Sequence, residues 1–391
     1  FAVTGKTSIF ASRKRLPWRL RKADSDFMSL DRRYIKKIGD YKHHYDIDRL
    51  TYPFNMNSAA KSTSERHDTS NFQPVWWYFL LSPAFVIYGY IMRQWFDLFW
   101  AYIFVAYGVI PMLDQVLPED WKNPTIKQIV ELENDQRYRL VLYIIVSLDF
   151  FIFFSEMGTI KSFTVFNVLP RLFVMANVYT TGMLVSHELM HKENKLDRAL
   201  ATIILIKNCY LHFALEHTQG HHKNVATPLD PASAPKGMTL YEFVPRSIKG
   251  GFLSAYRMDP RFVTLCCVAS LAFLLVIYKI FGWRVLLVHM FAALGSIMLL
   301  ELTNYIEHYG LQRKQLPDGT YERVTIRHSW NAAHCISNYF MIKLQRHSDH
   351  HENSLKPYQT LCTYNDSPQL PHGYLVCFLI AQSPKVSQYL I

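Results

Sequence analysis

Long apolar blocks separated by short polar links fill the middle of this 391-residue chain. Six of the blocks approach or reach the roughly 20 residues that a helix needs to cross a bilayer core. The six windows are 75–92, 95–113, 139–156, 162–186, 261–281 and 283–303. The third contains Asp149 and the fourth contains Pro170 and Arg171, so we expect these positions to face protein rather than lipid. The pattern predicts an all-α integral membrane protein with six transmembrane helices.

The polar ends predict three parts: a basic extramembrane arm over residues 1–74, a membrane domain over 75–375 and a C-terminal tail over 376–391. Residues 1–45 carry twelve Lys or Arg against four Asp, a net charge of +8, out of +11 for the whole chain. A basic segment that leads into a transmembrane block is typical of the positive-inside rule or of contact with acidic membrane lipids. Nucleic-acid binding is the less favoured alternative, so lipids are expected as partners and nucleic acid is not.

The beginning of the chain bears on its location. The sequence starts without methionine, and no signal-peptide apolar stretch follows the basic arm before Trp76. A removed transit peptide fits import into mitochondria, although a truncated sequence has the same first residue. The mitochondrial inner membrane is therefore the expected location.

Histidine is clustered. Of seventeen histidines, nine lie in three tight clusters and at one further position, each where a long apolar stretch ends or just beyond one. The nine are His187 and His191; His217, His221 and His222; His308; and His347, His350 and His351. Because neutral imidazole is the commonest metal ligand among side chains, the sequence predicts a multi-histidine metal centre at one face of a membrane.

The spacing within the clusters indicates more than one ion. His187 and His191 are four residues apart, so on a helix both rings project from one face. His217 and His221 form a second such pair, and the adjacent His222 is expected to point elsewhere, toward a second ion. Nine ligands are too many for one ion, and a division into four and five suits two. Imidazole alone does not name the metal, but closed structural zinc needs only four ligands, so nine nitrogens beside an apolar cavity favour two iron ions over zinc or copper.

An acidic residue accompanies each histidine group. We expect these carboxylates to hold ring nitrogens and to balance the charge of the ions, with ordinary solvated carboxylates as the alternative. They are Glu188, Glu216, Glu307 and Asp349. No catalytic residue beyond the metal ligands is predicted. The remaining histidines are interpreted as structural, and they are His43, His44, His67, His212, His289, His328, His334 and His372. The six cysteines include no C-x-x-C pair, which argues against a cysteine-ligated iron or zinc module.

A shared metal site constrains the topology, because all nine histidines must reach one side of the bilayer. Four predicted spans precede His187, and two more lie between His222 and His308, joined by a short link at 282–284. Both numbers are even, so the di-metal site is expected on the side of the N- and C-termini. The apolar segment 197–214 is flanked by His191 and His217, and we expect it to lie in the interface or to re-enter without crossing.

Five motifs carry a resemblance to a known family. They are HELMHK at 187–192, EHTQGHH at 216–222, VATPLDPASA at 225–234, NYIEHYGL at 304–311 and LQRHSDHH at 344–351. On these motifs the sequence resembles the integral-membrane alkane 1-monooxygenases, or alkane omega-hydroxylases, within the membrane fatty-acid desaturase and hydroxylase group. The three histidine clusters alone would equally resemble a fatty-acid desaturase, whereas NYIEHYGL and VATPLDPASA favour the alkane monooxygenases. The resemblance covers about residues 75–375.

The resemblance implies six transmembrane helices and a non-haem di-iron centre on the nine histidines. It also implies hydroxylation of a terminal carbon of an alkane or fatty-acyl chain, with O₂ as co-substrate. The sequence contains no rubredoxin or reductase module, so electrons are expected from a separate protein of the rubredoxin, ferredoxin or cytochrome type. Two alternatives stay open: an acyl-chain desaturase with the same ions, and a hydroxylase-derived structural or lipid-binding subunit of a larger membrane complex. The long basic arm, unusual for the family, motivates the second.

Overall fold

Helices make up the regular structure of residues 72–160 and 164–384, the part of the chain that the computed structural model describes. Within this part there are no strands, only two isolated β-bridges, so the all-α prediction is confirmed. The predicted basic arm lies outside the described residues except for 72–74, and so does the tail from 385 onward.

The α-helices are α1 (Leu81–Phe96), α2 (Phe99–Phe104), α3 (Ile110–Val116), α4 (Ile126–Asn134), α5 (Gln136–Thr159), α6 (Val165–Met190), α7 (Lys195–Lys207), α8 (Phe213–Leu215), α9 (His222–Asn224), α10 (Leu240–Met258), α11 (Pro260–Phe281), α12 (Trp283–His308), α13 (Cys335–Phe340), α14 (His347–Glu352) and α15 (Tyr374–Ala381). Two 3₁₀ turns lie at Trp76–Leu80 and Tyr358–Thr360. Two π-helical segments lie at Val105–Val109 and Glu216–His221.

Four helices of the described residues are long and apolar enough to cross a membrane: α5, α6 from Val168 onward, α11 and α12. They match the third to sixth predicted spans. The first two predicted windows fold into shorter pieces, α1 after a 3₁₀ turn and the run from α2 to α3. The 16 residues of α1 extend for about 24 Å, and the 3₁₀ turn Trp76–Leu80 runs directly into this helix. The structure therefore supports an integral membrane protein, and the count of six spans stays a prediction.

The hairpin of α11 and α12 follows from local sequence signals. The Asp259 side chain accepts the N–H of Phe262 at 2.9 Å and caps α11, and Pro260 occupies the first helical position. Gly282 then ends α11 with φ +84°, a conformation that side chains with a Cβ rarely adopt. Only 17% of the α11 span is buried, so most of its apolar side chains lie on the outside of the helix bundle, as expected of a helix in lipid.

Helices α6 and α12 pack closely and end at the same place. A Cβ added to Gly295 of α12 would lie 2.9 Å from Cβ of Ala176 on α6, so the two backbones approach closely. Helix α6 carries His187 in its last turn, and α12 ends at His308. The pair thereby delivers two of the histidine positions to one end of the helix bundle.

Charged residues within the spans face protein, as predicted. Asp149 of α5 pairs with Nζ of Lys207 at 2.9 Å, and both side chains are buried. Lys207 also lies 3.3 Å from the centroid of the Tyr179 ring. Glu156 of α5 forms an ion pair with Arg171 of α6, with 3.0 Å between the carboxylate Oε2 and a guanidinium nitrogen. Partners of opposite charge are what makes ionisable groups tolerable at this depth.

The segment 197–214 leaves the histidine site and comes back to it. Helix α7 has 13 residues and a length of about 20 Å, too short to cross a bilayer. His191 before it and His217 after it belong to one group of rings. This geometry agrees with the prediction that the segment does not cross.

Candidate metal centre

All nine predicted ligands come together in the structure, in two groups. Within each group, one ligand atom from every ring lies within 4.8 Å of the others. Eight of the nine residues are buried, and His222 is partly buried. The first group, called the five-histidine group, is His187, His191, His217, His222 and His350. The second, called the four-histidine group, is His221, His308, His347 and His351. The predicted division into four and five is what the structure contains.

The end of α6 supplies the first pair. His187 and His191 are one turn apart and their ring centroids are 5.3 Å apart, as the spacing predicts. Both rings join the five-histidine group. His191 directly follows the last helical residue, Met190, so the helix end itself sets the position of its ring.

The second cluster is arranged differently from the prediction. The sequence pairs His217 with His221, but the structure places His217 with His222, whose Nε2 atoms are 3.0 Å apart. His221 belongs to the four-histidine group instead. The cause is the π-helical segment Glu216–His221, because its wider turn brings residues five apart onto one side, where an α-helix aligns residues four apart. One short segment therefore serves both groups.

The third cluster lies on α14 and also divides between the groups. His347 and His351, one turn apart, have Nε2 atoms 3.0 Å apart and belong to the four-histidine group. His350 belongs to the five-histidine group. Arg346 fixes the start of α14: its buried guanidinium donates to the Asn123 side chain at 3.0 Å and to the Leu361 carbonyl at 2.8 Å.

The ring nitrogens point into the groups. In five of the rings Nε2 is buried and has no hydrogen-bond partner: His187, His191, His221, His308 and His350. In the other four rings, Nε2 lies 3.0 Å from the Nε2 of another histidine of the same group. Unpaired buried nitrogens and facing pairs are costly in a protein interior unless a shared partner lies between them.

The spacing of these nitrogens fits metal binding. Two imidazole nitrogens that bind one ion at about 2.1 Å, at right angles to each other, lie about 3.0 Å apart. The two Nε2 pairs have this separation, one in each group. None of the described cysteines belongs to either group. The donor set is thus nitrogen-rich, with one candidate ion position in each group.

Two of the four predicted acidic partners lie against the groups. Glu307 has Oε2 3.2 Å from Nε2 of His347. Glu216 lines a small internal cavity together with His217 and His221, and burial raises the pKa of its carboxyl to about 8. Both can influence the charge at the site.

The other two acidic residues contact different partners. Glu188 pairs with Nζ of Lys192 at 2.5 Å and accepts the backbone N–H of Tyr358 at 3.1 Å. Asp349 pairs with Nζ of Lys356 at 2.7 Å and accepts the backbone N–H of Cys362 at 2.7 Å. These carboxylates fasten the chain around the site and do not hold ring nitrogens, contrary to the expectation.

Asp230 is the acidic partner that the sequence analysis missed. Its Oδ2 lies 2.9 Å from Nδ1 of His221, and the Ser233 hydroxyl donates to the same oxygen at 2.6 Å. Burial alone would raise the pKa of Asp230, but His221 and Ser233 hold it below its usual value. Asp230 lies within the VATPLDPASA motif, which was the signal for it in the sequence. Ser329, whose Oγ is 3.3 Å from Nδ1 of His308, had no signal in the sequence.

Burial keeps several of the rings neutral, as metal ligands must be. It lowers the pKa of six histidines outside the spans well below the ordinary value: His191, His217, His222, His347, His350 and His351. Neighbouring histidines lower the values further, because two charged rings in contact repel each other. Their lone pairs are therefore available without a change of pH.

The histidines interpreted as structural stay out of both groups wherever the structure describes them. His289 bonds the Lys207 carbonyl through Nε2 at 2.9 Å. Nε2 of His328 lies 3.4 Å from Oε1 of Glu322, and Nδ1 of His372 lies 3.1 Å from Oε1 of Gln115. His43, His44 and His67 lie outside the described residues.

Comparison with known proteins agrees with this site. A model of the fatty acid desaturase family matches residues 163–380. Alkane 1-monooxygenase 1 of Alcanivorax borkumensis is 34% identical over 334 residues, which cover 79% of this chain and 81% of that protein. The chain belongs to the alkane 1-monooxygenase family. Alkane 1-monooxygenase 1 of Pseudomonas aeruginosa is also 34% identical, over 79% of this chain and 87% of its own length. Alkane 1-monooxygenase of Acinetobacter baylyi is 34% identical over 72% of each chain.

Membership of the alkane 1-monooxygenase family confirms the resemblance drawn from the five motifs. The desaturase model covers all four stretches that carry the nine histidines. The histidine-bearing stretches therefore belong both to the match with the wider desaturase group and to the motifs of the alkane monooxygenase family.

Proposed function

We propose that this protein is a membrane non-haem di-iron monooxygenase that hydroxylates a terminal carbon of an alkane or fatty-acyl chain, using O₂ and electrons from another protein. The observation that carries the proposal is the convergence of nine histidines, eight of them buried, into two separate groups of facing Nε2 atoms. Family membership supports it, since the relatives are named as alkane 1-monooxygenases.

One ion is assigned to each group. The five-histidine group would hold the first iron and the four-histidine group the second. Bound there, iron supplies the redox chemistry that activates O₂ toward an unreactive C–H bond. All-nitrogen sites leave zinc and copper as competitors, so the identity of the metal is part of the proposal.

The protein's own contribution is to position the rings and to keep water out. Asp230, 2.9 Å from Nδ1 of His221, directs the Nε2 of that ring into the four-histidine group. The aromatic ring of Phe213 lies over His217, with the centroids 4.9 Å apart, and closes the site on one side. A buried, preorganised site holds a substrate terminus at the metals without competition from solvent.

Access from the membrane fits an alkyl substrate. His187 and His308 lie at the ends of two apolar spans, α6 and α12. A hydrocarbon dissolved in lipid would approach along these helices, so that only its terminal carbon reaches the site.

The arrangement in the membrane extends the proposal. With six spans, the histidine groups and both termini would lie on one side of the membrane. The electron donor, a rubredoxin, ferredoxin or cytochrome, would dock on that side, close to the metals. The relatives reported above come from bacteria and give no support to the expected mitochondrial inner membrane. We accordingly propose that the protein is integral to a membrane, and we assign no organelle.

The proposal is tested with purified protein in lipid nanodiscs, reconstituted anaerobically with Fe²⁺ and supplied with a rubredoxin, its reductase and medium-chain alkanes and fatty acids. The expected product is a terminal alcohol that contains one ¹⁸O atom when ¹⁸O₂ is used. An alkene without label would instead favour a desaturase, which the family model also permits. Absence of bound iron and of any product, under conditions in which an alkane 1-monooxygenase is active, would refute both.

A further inference from the structure

The two histidine groups differ by one donor, and a carboxylate lies at the smaller one. Glu307 immediately precedes His308 at the end of α12 and is 1% exposed. Its Oε2 is 3.2 Å from Nε2 of His347. Its Oε1 is buried and has no hydrogen-bond partner. A fully buried carboxylate with an unsatisfied oxygen requires an explanation.

Two atoms with lone pairs lie beside Nε2 of His347. Nε2 of His347 faces Oε2 of Glu307 at 3.2 Å and Nε2 of His351 at 3.0 Å. A single N–H on His347 can satisfy only one of the two contacts, because it carries one proton. A cation between the three atoms satisfies all of them. The two separations are those expected between neighbouring ligands of one ion at about 2.0–2.2 Å.

Both the backbone and the carboxyl group of Glu307 have a hydrogen-bond partner. The backbone carbonyl of Glu307 accepts the N–H of Trp330 at 2.9 Å, which fixes the last turn of α12. The hydroxyl of Tyr374, which is fully buried, hydrogen-bonds the carboxyl group. Two supports of this kind orient a metal ligand in the way that outer hydrogen bonds generally do.

Charge favours the same role. The five-histidine group contacts no carboxylate through its ring nitrogens in the described residues, whereas the four-histidine group faces both Asp230 and Glu307. Neutral imidazoles leave the charge of a cation uncompensated, and an anionic oxygen at the group with fewer nitrogens supplies both the missing donor and the missing charge.

We infer that Glu307 is a tenth metal ligand, an oxygen donor that completes the four-histidine group to five donors. The inference rests on the proposed two-ion centre. It differs from a role as a hydrogen-bond partner of His347 in that the carboxylate oxygen itself binds the ion.

The test is titration of metal-free protein with Co²⁺, followed by visible absorption and by the number of ions retained after desalting. Wild-type protein is expected to take up two equivalents. Glu307→Gln should retain one equivalent tightly and bind the second about tenfold or more weakly, with loss of one of the two absorption components. Glu307→Asp should recover part of the second site, because it keeps the charge on a shorter side chain.

Glu322→Gln is the matched control, since it makes the same change at a glutamate whose Oε1 lies 3.4 Å from Nε2 of His328, a histidine outside both groups. It should retain two equivalents and both absorption components. Thermal unfolding of the metal-free forms shows whether Glu307→Gln is folded; if it is not, Glu307→Asp carries the test, and an unchanged spectrum and affinity there overturn the inference.

The outcomes separate the two levels of the proposal. Two equivalents with unaltered spectrum and affinity in Glu307→Gln would show a hydrogen-bond partner only, and the two-ion centre would stand. Failure of wild-type protein to bind any ion would instead remove the centre itself.

Discussion

Asp230 and His221 form a buried pair in which the carboxylate Oδ2 lies 2.9 Å from the ring Nδ1, so the other nitrogen of the ring faces the four-histidine group. The Ser233 hydroxyl and the backbone N–H of Ala232 hold the carboxylate in place, at 2.6 Å and 3.0 Å. The loop after the second histidine cluster thus positions a ligand of that cluster.

Asp230→Asn should weaken metal binding at the four-histidine group by about 10- to 100-fold. The amide can present its nitrogen to His221 and no longer fixes the proton on Nδ1. The measurement is the dissociation constant of the weaker-bound ion, from competition with a chelator. Asp366→Asn is the control, because Asp366 forms an exposed ion pair with Arg327 at 3.5 Å, away from both histidine groups; equal losses in both variants would contradict the prediction.

The division of α14 between two ions gives a second prediction. His347 and His351 belong to one group, and His350 belongs to the other. The double variant His347→Ala/His351→Ala should therefore keep one iron, whereas His350→Ala/His351→Ala should disturb both sites and keep less than one.

Iron content after anaerobic reconstitution, measured by elemental analysis, distinguishes the two double variants. His372→Ala is the control, since the ring contacts Gln115 at 3.1 Å outside both groups. Identical iron contents in the two double variants would mean that the grouping is wrong.

The sequence predicted which histidines come together in the structure, but it did not predict how they pair. Nine histidines at the ends of apolar blocks are visible without coordinates, because spacing and hydropathy are properties of the chain itself. The partnership of His217 with His222 depends on the π-helical segment, and residue spacing does not distinguish that turn from an α-helical one. Helical periodicity alone therefore assigned His221 to the wrong neighbour.

The contacts of the acidic residues were also beyond the sequence. Glu188 was predicted because it is next to His187 in the sequence, but its carboxylate pairs with Lys192. Asp230 was not predicted, because it is nine residues from His221, the histidine that it contacts. Whether a carboxylate meets a ring depends on the fold of the intervening loop. The boundary between the first two predicted windows was also beyond the sequence, because apolar composition does not reveal that the helical run breaks at Asp97, which has φ 54°.

The ion pair of Lys207 and Asp149 is predicted to be a strong local contribution to stability. Both side chains are buried, and Nζ lies 2.9 Å from the carboxylate. Lys207→Met leaves an unpaired buried carboxylate and should lower the free energy of unfolding by about 3–5 kcal/mol. The double variant Asp149→Leu/Lys207→Met should recover most of the loss, because an apolar pair has no charge to desolvate.

Unfolding in detergent, followed by circular dichroism, measures these differences. Lys279→Met, at an exposed position, is the control and should change little. A double variant that is no more stable than Lys207→Met would show that the pair does not act as a unit.

Lys343 gives the stability a predictable dependence on pH. The side chain is buried 3.7 Å from Asp120, and burial lowers its pKa from 10.5 to about 8. Below about pH 8 the lysine is protonated in both the folded and the unfolded state. Between about pH 8 and pH 10.5 the unfolded chain keeps a proton that the folded protein has lost, so the free energy of unfolding rises with pH in this window.

The gain from this one group between pH 8 and pH 10 is about 2 kcal/mol. Lys343→Met removes the titrating group, so its stability relative to wild type should fall by that amount over the same interval. Chemical unfolding at both pH values provides the measurement, and Lys314→Met, at an exposed position, should follow the wild-type profile. If Lys343→Met and wild type gained stability equally, the lysine would have to keep its proton in the folded protein, and Asp120 would be a stronger partner than their 3.7 Å separation implies.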